Sequence, residues 1–166
     1  MPFVPVMDFS FYVNGPTRLL RAASHGRGVF ELQIDDPLSL VYVDLKVFLE
    51  GPYAGPNMNT AIAGSVPSGQ PYNTAPWNYP GAETASITSG SDIVDWVLVE
   101  LRTGATPATA TTVVATKAGL LKSDGTIVDA DGFTNLNFNA APGNYYIVVY
   151  HRNHLPIMSA TAITLN

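Results

Sequence analysis

Cysteine is absent from this chain. That excludes disulfide stapling, thiolate nucleophiles and cysteine-held zinc. Charge is scarce as well. Asp, Glu, Lys and Arg make up 13% of the 166 residues, against about 25% in ordinary soluble domains. Only 8 residues are Lys or Arg and the net charge is -5, so the basic patch that nucleic acid requires is missing. No apolar run approaches the roughly 18 residues of a membrane-crossing helix. Met1 to Asp8 has no basic segment followed by a long apolar one, so no export leader is legible there.

What fills the chain instead is apolar residues, at 46%, with 14 Gly and 13 Pro. A sequence of this length forms one domain, or one domain with an extension, and can bury a real core. A surface this poor in charge tends to meet other protein surfaces, because repulsion is weak.

The pattern is that of strands and turns. Asp8–Val13 is strand-like and ends at Asn14-Gly15-Pro16, a strong turn signal. Thr17–Ser24 reads as one helical turn or an irregular strand, and Val29–Ile34 has high β content. Val41–Glu50 alternates most clearly: Val41, Val43, Leu45, Val47 and Leu49 face one way, and Tyr42, Asp44, Lys46, Phe48 and Glu50 the other. Period two sends the first set into a core. Gly51–Ala82 is then a long Gly/Pro/Asn/Ser segment, which is either functional or held by its own packing. Strands resume at Ile93–Arg102, Thr111–Ala118, Leu120–Lys122, Thr126–Val128, Leu136–Asn139, Tyr145–His151 and Ala160–Leu165. The run from Asp92 looks buried on both faces at its start and on one face at its end. Turn signals at 123–125, 129–132 and 141–144 separate the later strands. The expected fold is all-β: a two-sheet antiparallel β-sandwich of Ig-like, Greek-key type carrying one long loop. The expected division is an N-terminal extension, 1–40, which is a donated or an edge strand, and a sandwich domain, 41–166.

Several blocks follow one another in a distinctive order. They are Leu45-Lys-Val-Phe-Leu-Glu-Gly-Pro-Tyr53, Gln70-Pro-Tyr-Asn-Thr-Ala-Pro-Trp-Asn-Tyr79, Val94-Asp-Trp-Val-Leu-Val-Glu-Leu-Arg102, Asp124-Gly-Thr-Ile-Val-Asp-Ala-Asp-Gly132, and the stretch Tyr146 to Ala160 with its His151-Arg-Asn-His154 turn. Over residues 41–165 this order resembles a domain of large secreted or surface proteins of Bacteroidota, of the hemagglutinin-like, dockerin-containing kind. The resemblance implies an extracellular β-sandwich module with no catalytic residues to carry over. The acidic, calcium-binding tail that commonly follows that domain is not in this sequence. Residues 1–40 lie outside the resemblance.

Candidate sites have competing readings. His151 and His154 can share a metal if a turn folds them together, but a third ligand is not specified; alternatively His151 and Asn153 bond loop backbone and Arg152 meets a carboxylate such as Glu100. Asp129-Ala-Asp131-Gly132 has the opening of a calcium loop, yet the twelfth position, where a carboxylate belongs, is Ala140. An ordinary turn is the expectation. Asp92, Asp95 and Glu100 hint at acid/base work, but Asp95 and Glu100 point to opposite faces of a strand and no His is placed beside them in sequence. No catalytic residue, metal or cofactor is expected.

Tyr72, Trp77 and Tyr79, with Tyr53, lie among Pro, Gly and Asn. Exposed rings in such company suit sugar stacking, so these are the ligand-binding residues of a carbohydrate-binding alternative; against it, Pro76-Trp-Asn-Tyr-Pro80 favours a ring wedged under the loop. Met1 to Val13 holds one charge, Asp8, and the β-formers Phe3, Val4, Val6, Phe9, Phe11 and Val13. Such a segment has to be covered, in its own sheet or by another subunit. Donation of a strand to a neighbour is head-to-tail and propagates into a filament. The leading expectation is therefore an extracellular structural or adhesive subunit that self-associates through those residues. Its partners would be copies of itself or other surface proteins, with glycans in the alternative reading.

Overall fold

The chain's architecture is given by a computed structural model, which describes residues 6–14, 17–25, 28–33 and 40–166. The fold is all-β, in two units, Met1–Ser39 and Leu40–Asn166.

The second unit is a β-sandwich. Its strands are β4 (Leu40–Val43), β5 (Ile93–Thr103), β6 (Thr112–Lys122), β7 (Ile127–Val128), β8 (Leu136–Asn139), β9 (Gly143–His151), β10 (His154–Met158) and β11 (Ile163–Leu165). The large antiparallel sheet runs β10-β9-β5-β6-β7, with β11 also on β9; the small sheet is β4-β8. Strands β5, β6 and β7 follow one another, β8 crosses to the small sheet, and β9 returns beside β5. That is the Greek-key order.

The period-two reading of 41–49 holds residue by residue. Val41, Val43 and Leu49 are buried, Leu45 and Val47 pack against the same core, and the even-numbered neighbours are exposed. The ladder itself stops at Val43; beyond it the path is extended and touches β7 through Val47 N–H to Gly125 O (2.8 Å) and Ile127 N–H to Leu45 O (3.0 Å). This covers an edge that would otherwise invite another chain. The inner core lies between the sheets: Val41, Val43, Leu136 and Phe138 from the small one meet Val97, Val99, Leu101, Leu121, Ile147 and Val149 from the large one.

The outer face of the large sheet is also apolar, through Trp96, Leu98, Ala118, Leu120 and Val128. The segment 51–92 lies over it, bringing Val66, Tyr72 and Ala85 into a second core. This is why β5 is buried on both faces from Ile93 to Val99 and half-open at Glu100 and Arg102. Two hydrogen bonds, one buried and one partly buried, run in opposite senses across the contact. The Trp96 indole donates to Pro67 O (2.8 Å) and the Tyr72 hydroxyl donates to Trp96 O (2.8 Å).

The structure decides one open reading and changes two others. Thr17–Ser24 is a strand throughout, the second of its two expected readings. Thr112–Lys122 is one strand rather than two, because Gly119 does not break it. There the strand passes so close to β7 that a Cβ would sit 2.7 Å from the Val128 carbonyl oxygen and 3.0 Å from Leu136. Gly119→Ala is therefore expected to destabilise the unit by about 1–3 kcal/mol, as overpacking against backbone does, read as a lowered urea midpoint with an unchanged slope. Strand β10 is an addition to the strands expected from the sequence; Pro156 stands in it, which an edge strand tolerates.

The first unit is a three-stranded antiparallel meander of β1 (Val6–Asn14), β2 (Thr17–Ser24) and β3 (Gly28–Gln33). Residues 6–14 are thus not a lone donated arm. They pair with β2 of the same chain, and β1 is an edge strand.

Candidate functional site

Register decides what the N-terminal sheet shows. Directly opposite residues share a face, and faces alternate along each strand. Phe11, Leu20 and Leu32 form one row, and Phe9, Ala22 and Phe30 the next. Every member of these rows is apolar. The other face carries Asp8, Ser10, Tyr12, Arg21 and Glu31, together with Leu19, Ala23 and Val29. Arg21 donates to Glu31 at 2.7 Å and stacks over the Tyr12 ring at 5.0 Å. So one side of the sheet carries two adjoining all-apolar rows, and the other mixes a paired polar group with Leu19, Ala23 and the exposed Val29. On the all-apolar side Phe9 is 63% exposed, Phe11 58%, Phe30 58% and Leu32 62%.

Of the residues expected to make subunit contacts, Val6, Phe9 and Phe11 are exposed in β1. Phe3, Val4 and the side chain of Val13 lie outside the described residues. Phe30 and Leu32 were not anticipated, though their spacing in Val29-Phe-Glu-Leu alternates with Glu31 and signals the same face.

The aromatic set proposed for sugar stacking does not stand together at the surface. Tyr72 is fully buried, its hydroxyl on Trp96 O, and burial pushes its pKa well above the ordinary tyrosine range. It has no face to offer. Trp77 meets Tyr72 edge-on with centroids 5.1 Å apart, and Trp77 and Tyr79 pack half-buried against the second core. Tyr79 also donates to Glu83. The rings are a wedge under the segment, as its prolines favour. Tyr53 is exposed and meets Phe48 instead.

The acid and histidine residues regroup. Asp95 is 4% exposed at the start of β5 and His151 8% at the end of β9. His151 Nε2 lies 3.1 Å from Asp95 Oδ2, and Arg152 donates to both carboxylate oxygens from Nη2 (2.9 Å each) and to Oδ2 from Nε (3.1 Å). The Trp96 N–H donates to Oδ1 at 2.8 Å. Burial pushes the carboxyl up, but the hydrogen bonds from His151, Trp96 and Arg152 outweigh it and hold it below the ordinary range. The partner of Arg152 is thus Asp95 and not Glu100, which pairs with Arg102. A histidine does stand beside Asp95, contributed by a strand 56 positions later. His154 closes the group, its Nδ1 2.9 Å from His151 Nδ1. The cluster lines a cavity of about 370 Å³ with Leu49, Gly51, Asn59, Ile62 and Val94.

Asp129 and Asp131 are consumed by the turn. Asp129 accepts from Lys117 (2.6 Å) and Asn137 (2.9 Å), and Asp131 from the Phe133 and Thr134 N–H groups and the Thr134 hydroxyl. Among the described residues no group of three or more His, Cys, Asp or Glu is arranged to hold a metal, and no helix is long and apolar enough to cross a membrane. No family model, curated protein or solved structure matches the chain.

Proposed function

We propose that this protein is an extracellular structural or adhesive subunit that associates with copies of itself through the N-terminal sheet. One observation carries the reading: the two apolar rows of Phe9, Phe11, Leu20, Ala22, Phe30 and Leu32, in which Phe9, Phe11, Phe30 and Leu32 are open to water. A three-stranded sheet gains independent stability by burying such a face, and contiguous apolar patches of a few hundred Å² on a folded chain are typical of interaction sites. A second copy fits best because the face is self-complementary: two such sheets stack about 10 Å apart around a two-fold axis with their mixed sides outward. The low charge of the chain leaves little repulsion to oppose this. The extracellular placement rests on the sequence resemblance of residues 41–165.

Magnitude sets the kind of association. Four Phe and Leu side chains about 60% exposed amount to roughly 450 Å² per face, or about 900 Å² over a pair, below the usual 1,200–2,000 Å² of a stable complex. Association through this face alone is weak and concentration-dependent. Edge-on contact along β1 or β3, whose outer edges have no partner among the described residues, extends a pair toward a filament.

Light scattering with negative-stain microscopy tests this. The whole chain is expected to exceed the single-chain mass increasingly with concentration, and Phe9→Ser/Phe11→Ser to return it to that mass with its circular dichroism unchanged. A single-chain mass at every concentration would sink the reading. The carbohydrate alternative is not carried forward, since burial of Tyr72 dissolves its aromatic set.

A further inference from the structure

We infer that His151 and His154 form a two-imidazole site for a divalent transition metal of the nickel–zinc class, oriented by Asp95. The inference is independent of the self-association reading. It starts from proton bookkeeping. The Asp95 carboxylate is held ionised by Arg152 and by the Trp96 N–H, so the proton at the 3.1 Å contact sits on His151 Nε2, which donates. A neutral imidazole protonated at Nε2 has a bare Nδ1. Into that lone pair point the Asn153 N–H at 3.2 Å and His154 Nδ1 at 2.9 Å. A carboxylate on the far nitrogen of a histidine is the arrangement that orients metal-binding histidines and raises their basicity; here the near nitrogen accepts from Asn153 and His154, and a metal takes their place.

The spacing fits a shared ion. Two metal–nitrogen bonds of about 2.05 Å set about 90° apart place the nitrogens about 2.9 Å from each other, and a tetrahedral angle places them about 3.4 Å apart. The observed 2.9 Å is the length of the hydrogen bond between the two rings, and an ion bound at a right angle in its place leaves that spacing unchanged; zinc needs the rings to part by about half an ångström. Binding keeps both imidazoles neutral. The proton His154 holds on Nδ1 moves to its Nε2, and the longer Asn153 hydrogen bond gives way. Among the described residues no third side chain completes the site, so water takes the remaining positions, with room in the adjoining 370 Å³ cavity.

The chain makes the test clean. It has no Cys and only 3 His, the third being His25 in the N-terminal unit. Titration of the full chain with NiCl2, and separately ZnCl2, in a calorimeter at neutral pH is expected to show one saturable equivalent. His154→Ala or His151→Gln should abolish it, His25→Ala should leave it intact, and Asp95→Asn should weaken it by about tenfold or more, as loss of an outer-shell carboxylate does. Imidazole nitrogen spectra on the unsubstituted chain supply a readout independent of whether variants fold: both Nδ1 resonances should shift and His154 should change from the Nδ1–H to the Nε2–H form. No saturable binding, binding that survives His154→Ala or binding that is lost with His25 would each overturn the inference.

Discussion

Replacing Trp96 by Ala is expected to be the most damaging single change in the sandwich, at about 3–5 kcal/mol. Trp96 is fully buried on the outer face of β5, beneath the segment 51–92. Truncation removes the ring that Val66, Tyr72 and Ala85 pack around, and releases the Pro67 carbonyl that its indole satisfies. Pro67 is exposed, so its carbonyl can turn to water and the cost is mainly that of lost packing. The damage should be divided unevenly. The inner core, between the two sheets, does not include this side chain, so hydrogen exchange should rise first across 63–87 and only later in β5 and β9. Trp96→Phe should keep most of the packing and lose the indole hydrogen bond, and so fall well short of Trp96→Ala. Equal effects of the two in urea unfolding would mean that the ring does not organise the cover.

The second large effect is expected at Asp95. Asp95→Ala removes the acceptor of His151, of Arg152 and of the Trp96 N–H at once. Breaking one partner out of a buried ion pair costs about 3–5 kcal/mol when the other stays buried. Arg152 is 32% exposed and can turn to water, which places the cost at about the lower end of that range. The same carboxylate gives an acid dependence of defined sign. Its folded pKa lies below the ordinary 3.8. It therefore contributes stability in full above about pH 5, and that contribution fades as the pH falls through 3.8 toward the depressed value. In chelator-treated buffer, the stability difference between the unsubstituted chain and Asp95→Asn should be largest near neutrality and shrink below pH 4. A difference that grows as the pH falls would contradict this assignment.

The legible parts of this fold were those where the physics is local. Alternation along 41–49 and the apolar density of Ile93–Leu101 follow from period two and from burial on two faces, and both can be read from neighbouring residues. The apolar character of Phe9 and Phe11 is equally local. Thr17–Ser24 was ambiguous because Leu-Leu-Arg-Ala-Ala is as good a helix as a strand by propensity, and pairing with β1 and β3 decides it. The cover formed by 51–92 has no period to read; its order comes from Tyr72 and Trp96, which meet across 24 positions. The Asp95 cluster was hidden for the same reason. It exists only because β9 returns beside β5, and no spacing in the sequence announces that neighbour. Gly119 looked like a break because only the close passage of β7 gives it a purpose.

The most direct test of self-association uses the missing cysteine. Ser10→Cys places the chain's single thiol on the mixed side of the N-terminal sheet, away from the apolar face. With a nitroxide attached there, pulsed electron resonance should report an intermolecular separation of about 25 Å, the sum of about 10 Å between stacked sheets and two outward label arms. The signal should strengthen with concentration and vanish in Phe9→Ser/Phe11→Ser. No intermolecular coupling up to the solubility limit, or coupling that persists in the double variant, would contradict association through this face.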